Sequence, residues 1–522
     1  MKKQTRSFPF VSVSEKSSAS APMHRQIYGQ LRRAILNGEI PVKSRIPSSR
    51  DLARQLGISR TTVINAYDQL FAEGYLEGKV GSGTFVAAEL PEKLLQIPKI
   101  ERPQSAAFLR KLNLSKKGAQ LSKNSGDILT DYSTVGFKPF QNGLTAIDSF
   151  PFDTWAKIAA RRSLYQSAEA PGCHDSTGFR PLREAIAAHL MSARGVNCDS
   201  EQVIITTGAQ QALALIASIF LGTGDEVLIE DPGYPNARNI FALSGAKLIP
   251  IAVDDNGFDL KSAIRQSKKP KLIYVTPSHQ YPLGITMSLA RRLSLIEWAK
   301  QNDAWIIEDD YDSEYRYSGH PLASLHGLDV EGRVLYVGTF SKTIFSSLKL
   351  GCLVVPPDLV NTFAAARVLS GAHSPLITQG VLAEFIAEGH FARHIRRMRT
   401  LYAERQRILV EAVKEKLGGL IEIKKSDAGM HLIGWLPAGI EDFLISQKAE
   451  RQNVKLSPVS ACCVNNCSYN GLIFGYAGFG EKQIREGIDK LSETLADMLQ
   501  SKRISAEKTQ NPAFRYASAY NR

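Results

Sequence analysis

Three short stretches in the middle of the chain place reactive side chains directly after apolar runs. The stretch "WIIEDDYDSEY" ends in Asp309, Asp310 and Tyr311, and "YVGTFSK" ends in Lys342. In "TTGAQQAL", Gly208 follows an apolar run and precedes a helical pattern. Alone, each stretch is unspecific. The acid pair could bind a metal, and the glycine could have no role beyond connecting a strand to a helix. Together they indicate a ligand that needs a phosphate site, an acid, a phenol and an amine.

Pyridoxal 5′-phosphate meets all four requirements. A lysine amine condenses with its aldehyde, a carboxylate keeps its ring nitrogen protonated, and the start of a helix can bind its phosphate. Tyr311 can hydrogen-bond the ring oxygen, and Tyr234 in "EDPGYP" can stack on the ring. A nucleotide would leave Lys342 and Asp309 unexplained, and a metal site would require histidines or more acids. The sequence therefore predicts a pyridoxal phosphate site and no metal site.

The elements that must position these residues alternate between apolar runs and helical patterns over residues 127–500. Runs such as "EQVIITTG", "KLIYVTP" and "AWIIEDD" are apolar and rich in β-branched residues, which is typical of parallel strands buried on both faces. Between the last two lies a predicted helix with Ser288 as its N-cap. Ligands of such sheets bind at the carboxyl ends of the strands, where the reactive residues stand.

Residues 23–86 have a different pattern. The segment "IPSSRDLARQLGISRTTVINAYDQL" predicts two short helices. The first begins near Ser48 or Ser49 and ends at Gly57, and the second is capped by Ser59. Apolar side chains recur on one face of the second helix at Val63, Tyr67 and Leu70. The following "GYLEGKVGSGTFV" predicts a two-stranded hairpin with a glycine-rich tip.

The leading end of the second helix carries groups that suit DNA. Hydroxyls and a guanidinium can donate to phosphates and base edges, and this end presents Ser59, Arg60, Thr61 and Thr62. The hairpin tip adds Lys79, Gly81 and Ser82, which could enter a groove or touch the DNA backbone. A helical hairpin used only for packing is the simpler alternative, but it does not account for the helix start and the hairpin together. We predict a DNA-binding module.

The net charge of +13 is unevenly distributed. Basic residues exceed acidic ones in residues 1–126 and 501–522, whereas residues 127–500 are slightly acidic. This distribution suits a polyanionic partner for the N-terminal part and a small molecule for the centre. We predict a flexible N-terminus at 1–22, a proline-containing linker at 87–126 with helical pieces around 109–114, and a polar tail at 501–522.

The cysteines and apolar runs bound the cellular setting. No apolar run reaches the length of a membrane span, and the start of the chain lacks the apolar stretch of a secretory signal, so a cytoplasmic protein is expected. Six cysteines in 522 residues do not form a disulfide framework. The cluster "CCVNNC" (Cys462, Cys463, Cys467) lacks zinc-site spacing, and buried or loop thiols are expected there.

Residues 23–86 resemble the winged-helix domain of GntR-type bacterial transcription regulators. The resemblance implies that double-stranded operator DNA is contacted at seven matched positions. These are Ser48, Arg50, Ser59, Arg60, Thr61, Thr62 and Gly81.

Residues 127–495 resemble fold-type I aminotransferases, through "GAQQAL", "EDPGYP", "TPSHQYPLG", "EDDYDSEY" and "GTFSKTIF". The whole chain thus resembles the MocR/GabR group, in which a GntR winged helix is joined to an aminotransferase-like domain. The implied fold is α/β, with a mainly parallel seven-stranded sheet, helices on both faces and a small C-terminal α/β subdomain. The implied roles are Lys342 as the aldimine lysine, Asp309 at the ring nitrogen, Tyr311 at the ring oxygen, Tyr234 as the stacking aromatic, and Gly208, Ala209, Gln210, Ser341, Lys349 and Tyr281 as further cofactor contacts.

Two departures from the aminotransferase pattern bear on activity. Lys349 stands where the family usually has a phosphate-binding arginine, and lysine lacks the two-pronged geometry of a guanidinium. The late segment "YNGLIFGYAGFG" has no arginine to hold a substrate carboxylate. The favoured interpretation is a regulator that senses pyridoxal phosphate or an amine or amino-acid effector, and the alternative is an active aminotransferase with an appended DNA-binding domain.

A homodimer is expected on two grounds. The sites of fold-type I proteins resemble sites shared between two subunits, and GntR-type domains bind paired half-sites, so a dimer matches a repeated operator.

Overall fold

The computed structural model describes residues 11, 22–79, 82–91, 113–130, 136–165, 175–319, 323–371, 374–464 and 468–510. The chain divides into two compact units, Met1–Leu112 and Asn113–Arg522. No helix among the described residues is long and apolar enough to cross a bilayer.

Residues 22–79 and 82–86 of the first unit form three helices and a hairpin. The helices are α1 (Met23–Leu36), α2 (Ser49–Leu56) and α3 (Arg60–Ala72), and the antiparallel strands are β1 (Leu76–Lys79) and β2 (Gly83–Val86).

Local sequence explains where these helices start and stop. The Ser48 hydroxyl accepts from the backbone N–H of Asp51 at 3.2 Å, and Gly57 ends α2 with a φ of +68°, a left-handed conformation that favours glycine. The predicted apolar face of α3 is buried in the core of this unit. Of the two serines predicted as possible N-caps of α2, Ser48 is the one that caps this helix.

The second unit is built on an eight-stranded sheet in the order β3-β10-β9-β8-β7-β4-β5-β6. Its strands are β3 (Val203–Thr206), β4 (Glu226–Asp231), β5 (Lys247–Asp254), β6 (Gly257–Phe258), β7 (Leu272–Val275), β8 (Trp305–Asp310), β9 (Val334–Thr339) and β10 (Gly351–Val354). The pairs from β5 through β4, β7 and β8 to β9 are parallel, whereas β10 runs antiparallel to both of its neighbours. The mainly parallel sheet is confirmed, with the two-residue β6 added at its edge to the seven strands expected.

Helices cover both faces of this sheet, and the last described helix ends at Gln510. Among the described residues they are α4 (Lys116–Thr130), α5 (Phe152–Tyr165), α6 (Arg180–Arg194), α7 (Ala209–Phe220), α8 (Pro235–Leu243), α9 (Leu260–Gln266), α10 (Leu289–Gln301), α11 (Leu325–Leu328), α12 (Val360–Leu369), α13 (Leu376–Ala387), α14 (His390–Leu417), α15 (Asp442–Arg451) and α16 (Glu481–Gln510). Ser288 caps α10, as predicted. The expected helical pieces at 109–114 fall largely outside the described residues, and α4 begins after them.

A smaller antiparallel sheet forms the C-terminal subdomain. Its order is β11-β12-β14-β13, with β11 (Glu422–Ile423), β12 (His431–Trp435), β13 (Ser457–Pro458) and β14 (Gly471–Gly475). Residues 139–143 run beside the end of β14, because Phe140 bridges to Gly475. A side chain at position 475 would collide with this segment, since a Cβ there would lie 2.6 Å from the backbone oxygen of Gln141. The glycine therefore lets residues 139–143 approach the subdomain closely.

Candidate cofactor site and nucleic-acid-binding residues

A cavity of about 340 Å³ opens where several strands of the large sheet end. Its volume lies in the range of small-molecule sites. The structure brings all ten residues predicted for the cofactor to its wall: Gly208, Ala209, Gln210, Tyr234, Tyr281, Asp309, Tyr311, Ser341, Lys342 and Lys349. The rule that ligands gather at the carboxyl ends of parallel strands therefore locates the cavity correctly.

Lys342 reaches into this cavity from the turn after β9. Its side-chain nitrogen donates to the backbone oxygen of Gly143 at 3.1 Å. Gly143 has a φ of +77°, which favours glycine, and a Cβ built on it would lie 1.9 Å from Nζ of Lys342 and would displace that amine. Burial lowers the pKa of Lys342, and the nearby charge of Lys349 adds to that effect while Asp312 and Asp309 oppose it. The result is a larger fraction of the neutral, nucleophilic amine.

Asp309 lies at the end of β8 and is almost completely buried. Its Oδ2 accepts a hydrogen bond from the Tyr274 hydroxyl at 2.7 Å, whereas its buried Oδ1 has no hydrogen-bond partner among the described residues. Burial raises the pKa of Asp309 to about 7, and the charges of Asp310 and Asp312 contribute. A buried carboxylate oxygen without a donor is costly. The cavity therefore offers a specific acceptor for an N–H group of a ligand.

One end of the cavity suits an anion. Gly208, with a φ of +123°, precedes α7, and Ala209 and Gln210 form the first turn of that helix. First-turn N–H groups have no partners within their own helix, and the helix dipole favours negative charge there. Lys349 also lines the cavity; it is exposed and has a left-handed φ of +52°. The two features together form a site suited to phosphate.

Three tyrosines form an aromatic side of the cavity. The rings of Tyr234 and Tyr281 are 5.8 Å apart, and those of Tyr281 and Tyr311 are 6.1 Å apart, both edge-to-face. The Tyr281 hydroxyl accepts from the Asn142 amide at 3.2 Å. The Tyr311 hydroxyl donates to the backbone oxygen of His279 at 2.9 Å, so its own hydrogen is already used within the protein. Tyr311 would therefore meet a ring oxygen as an acceptor or after rotating its hydroxyl.

Behind Tyr311 lies a buried group that the sequence analysis missed. His279 Nδ1 lies 3.0 Å from both Asp312 Oδ2 and the Tyr311 hydroxyl. His431 completes the group: the ligand atoms of His279, Asp312 and His431 lie within 4.8 Å of one another, close enough to hold a metal ion. The His279–Asp312 pair holds the Tyr311 ring in place at the cavity wall.

Other contributors were missed for an identifiable reason. Tyr274 is the third residue of β7, and its place in a strand adjacent to β8 could have indicated contact with Asp309. Asn142 and Gly143 lie far upstream, outside any recognised motif, and no local signal in the sequence marks them.

The cysteine prediction was wrong at one position. Cys462 is buried and forms no disulfide, whereas Cys463 is disulfide-bonded, and Cys467 lies outside the described residues. A disulfide requires two Cβ atoms about 3.8 Å apart, which sequence spacing alone does not reveal.

In the first unit, the predicted DNA-binding residues lie mainly on the leading ends of α2 and α3. Ser59 caps α3 by accepting from the Thr62 N–H at 3.2 Å, and its hydroxyl lies 2.8 Å from that of Thr62. Arg50, Arg60 and Thr61 are exposed. The remaining predicted positions are Ser48, which caps α2, Lys79, which ends β1, and Gly81, which lies outside the described residues.

An arginine that the prediction omitted lies beside the hairpin. Arg45 is exposed, and a Cβ built on Gly83 would lie 2.9 Å from its Nε. Its guanidinium therefore adds positive charge next to the hairpin tip.

Comparison with known proteins agrees with this two-part architecture. Residues 23–86 match the protein family described as bacterial regulatory proteins of the gntR family. Residues 144–511 match the family described as aminotransferase class I and II. Over 473 residues the chain is 42% identical to the probable rhizopine catabolism regulatory protein MocR of Rhizobium meliloti, covering 91% of this chain and 94% of that protein. The chain belongs to the MocR-type transcriptional regulators.

Other relatives of this MocR-type regulator extend the comparison. The pyridoxine biosynthesis transcriptional regulator PdxR of Corynebacterium glutamicum is 31% identical over 475 residues, covering 90% of this chain and 95% of PdxR. Among solved structures, kynurenine aminotransferase of Pyrococcus horikoshii in complex with PMP matches with a TM-score of 0.67 at 30% identity, covering 74% of this chain and 98% of that enzyme. LysN, the α-aminoadipate aminotransferase of Thermus thermophilus, complexed with N-(5′-phosphopyridoxyl)-L-leucine, matches with a TM-score of 0.67 at 27% identity and the same coverage. The regulator's large domain thus has the aminotransferase fold.

Proposed function

We propose that this MocR-type regulator binds pyridoxal 5′-phosphate in the cavity, covalently through Lys342, and changes its affinity for operator DNA when an amine or amino acid binds there. The observation that carries the proposal is the buried Oδ1 of Asp309, which has no partner in the described part of the chain and shares one cavity with the amine of Lys342. A protonated ring nitrogen would supply the missing donor. When bound, this cofactor supplies an aldehyde that condenses with amines and a ring that withdraws electrons.

The protein's own groups have distinct parts in this proposal. Lys342 provides the amine, and its lowered pKa favours the form that attacks an aldehyde. Asp309 accepts the ring N–H, and Tyr274 fixes the carboxylate through its other oxygen. The first turn of α7 and Lys349 bind the phosphate. Tyr234 packs against the ring, because it lines the same cavity at the start of α8.

A visible absorption spectrum tests cofactor binding. The purified protein is expected to be yellow, and borohydride should bleach the band while fixing the cofactor's mass on Lys342. Lys342→Ala should lose the band. The matched control is Lys300→Ala, which removes an exposed lysine of α10 that pairs with Glu331, and it should keep the band. A persistent band in Lys342→Ala would refute the lysine assignment.

The regulatory half of the proposal concerns DNA binding. Mobility-shift assays with the DNA upstream of the regulator's own gene should show a complex whose affinity changes when pyridoxal phosphate or an amine is added. Ligands shift such an equilibrium only through their different affinities for its two states. An affinity that is identical with every ligand, in a protein that shows the visible band, would contradict sensing and leave cofactor binding intact.

Two subunits are proposed to act together. Large apolar side chains are exposed on the second unit, including Phe137 at 64%, Phe152 at 46% and Leu369 at 87%. A subunit interface would remove these side chains from water, which favours association. Sedimentation should give a dimer of about twice the chain mass of 57.4 kDa, and a monomer at micromolar concentration would refute this.

An active aminotransferase is the second candidate. It is supported by the likeness to the kynurenine aminotransferase and by the complete set of Lys342, Asp309 and Tyr311 at the cavity. Incubation with amino acids and 2-oxoglutarate should then release a stoichiometric excess of keto acid. Release limited to one equivalent or less per subunit would favour the sensor.

A further inference from the structure

An amine ligand whose amine lies at Lys342 could carry a second charged group, which would need a binding partner elsewhere in the cavity wall. The C-terminal strand β14, where aminotransferases usually place a carboxylate-binding arginine, contributes only the buried apolar side chains Leu472, Ile473 and Phe474 between its glycines. No arginine is found among the described residues that line the cavity. A negatively charged ligand would need another cation.

Three lysines line the cavity, and two of them already have a part in cofactor binding. Lys342 supplies the amine, and Lys349 lies near the phosphate end. The third is Lys455, which follows α15 and precedes β13. His431 also lines the cavity, but burial lowers the pKa of its imidazole to about 4, so it is neutral at pH 7. Lys455 is therefore the remaining positive charge in the described part of the wall.

The ion pairs around Lys455 leave a net positive charge on the cluster of charged groups to which it belongs. Its side chain is 15% exposed, and its ammonium lies 3.1 and 3.3 Å from the two carboxylate oxygens of Glu450. The same carboxylate also receives the ammonium of Lys138, at 3.4 Å. Two ammonium groups thus share one carboxylate. The cluster carries one uncompensated positive charge, which a ligand anion could neutralise.

Residues 139–143 connect this cluster to Lys342. The Lys455 backbone N–H donates to the oxygen of Pro139 at 2.9 Å, and the side-chain nitrogen of Lys342 donates to the oxygen of Gly143. Four residue steps of extended chain span at most about 14 Å. The backbone of Lys455 and the side chain of Lys342 therefore contact opposite ends of the same five-residue segment.

From this arrangement we propose that Lys455 binds the anionic group of the effector, which is a small primary amine carrying a carboxylate or another acid at its far end. The amine end would lie at the cofactor aldehyde and the acid end at Lys455. The proposal rests on the proposed function, because it requires the cofactor on Lys342. It assigns to lysine, on a different segment of the chain, the role that an arginine on β14 has in aminotransferases.

The test compares matched ligands on the cofactor-loaded, full-length protein. Each of glycine, β-alanine, 4-aminobutanoate and 5-aminopentanoate is paired with its own amide, which has the same length and no negative charge. Binding is measured by calorimetry and by the change in the visible spectrum. At least one acid should bind about tenfold or more tightly than its amide, the size expected for one charge-assisted hydrogen bond.

Variants at Lys455 and Glu450 separate charge from structure. Lys455→Met should bring the acid-to-amide affinity ratio to about one without changing the amide's affinity, and Lys455→Arg should retain the preference. Glu450→Gln removes the competing carboxylate and should tighten acid binding severalfold. If Lys455→Met does not fold, Glu450→Gln decides alone, since unchanged or weaker acid binding in it overturns the proposal.

The outcomes also distinguish this inference from the function on which it rests. A wild-type protein that shows no visible band overturns cofactor binding itself. A wild-type protein that shows the band but binds no acid better than its amide overturns only the role of Lys455. If the Lys455→Met variant still binds an acid more tightly than its amide, the role of Lys455 is likewise overturned.

Discussion

Two adjacent aspartates at the end of β8 should respond in opposite ways to the same substitution. In the cofactor-free protein, Asp309 is buried with Oδ1 lacking a partner among the described residues, and burial raises its pKa to about 7 from an ordinary value of 3.8. Ionising it in the folded protein therefore costs about 4 kcal/mol relative to the unfolded chain. Asp310 instead forms a buried ion pair with Arg194, at 2.7 Å, and accepts from the Tyr336 hydroxyl at 2.8 Å.

The sign of the pH dependence follows from the raised pKa. Below about pH 4 both states hold the proton on Asp309, and between about pH 4 and 7 the unfolded state loses it first. Stability contributed by this group is therefore fully present at low pH and is lost as the pH rises through the folded pKa. At pH 8 Asp309→Asn should stabilise the cofactor-free protein by up to about 4 kcal/mol, because the amide needs no ionisation.

Asp310→Asn is the matched control. It leaves Arg194 buried without its ion-pair partner, which should destabilise the fold by about 3–5 kcal/mol. Urea unfolding followed by circular dichroism at pH 6 and pH 8 measures both variants. Asp309→Asn should also weaken cofactor binding at least tenfold, because an amide is a poorer partner for a protonated ring nitrogen. If both variants lose stability equally at pH 8, the assigned environment of Asp309 is wrong.

Three further substitutions test the remaining parts of the molecule. Gly143→Ala places a Cβ 1.9 Å from Nζ of Lys342, so the folded variant should lose most of its visible absorption, and normal absorption would contradict the close contact. Lys349→Arg should tighten cofactor binding severalfold through a two-pronged phosphate contact, measured by equilibrium dialysis, and weaker binding would contradict the phosphate role. Arg60→Ala should weaken operator binding and reduce the slope of log affinity against log salt by about one, measured by fluorescence anisotropy; an unchanged slope would place Arg60 away from the DNA phosphates.

The sequence was most informative where function depends on local order along the chain. Asp309, Tyr311 and Lys342 lie at or just after the ends of buried strands, and parallel strands bring such residues to one edge of the sheet. The caps Ser59 and Ser288 and the stop at Gly57 were likewise predictable, because each depends on neighbours within one turn.

Contacts made across long stretches of chain could not be predicted in the same way. Gly143 contacts Lys342 only because residues 139–143 run along the end of β14. No pattern near position 143 in the sequence predicts that contact. Lys455 looks like an ordinary lysine after a helix until the fold places it at the cavity wall. The missing partner of Asp309 Oδ1 is a property of packing, and no sequence pattern shows it.

The order of the cavity residues along the chain determines when the cavity can form during protein synthesis. The first compact unit is complete by Leu112, whereas the cavity wall draws on residues from Gln141 to Ser457. A ribosome therefore exposes a finished winged helix well before the last part of the pocket has been translated. Nonsense mutations in the second half of the gene would leave fragments that keep the winged helix but lack part of the cavity wall.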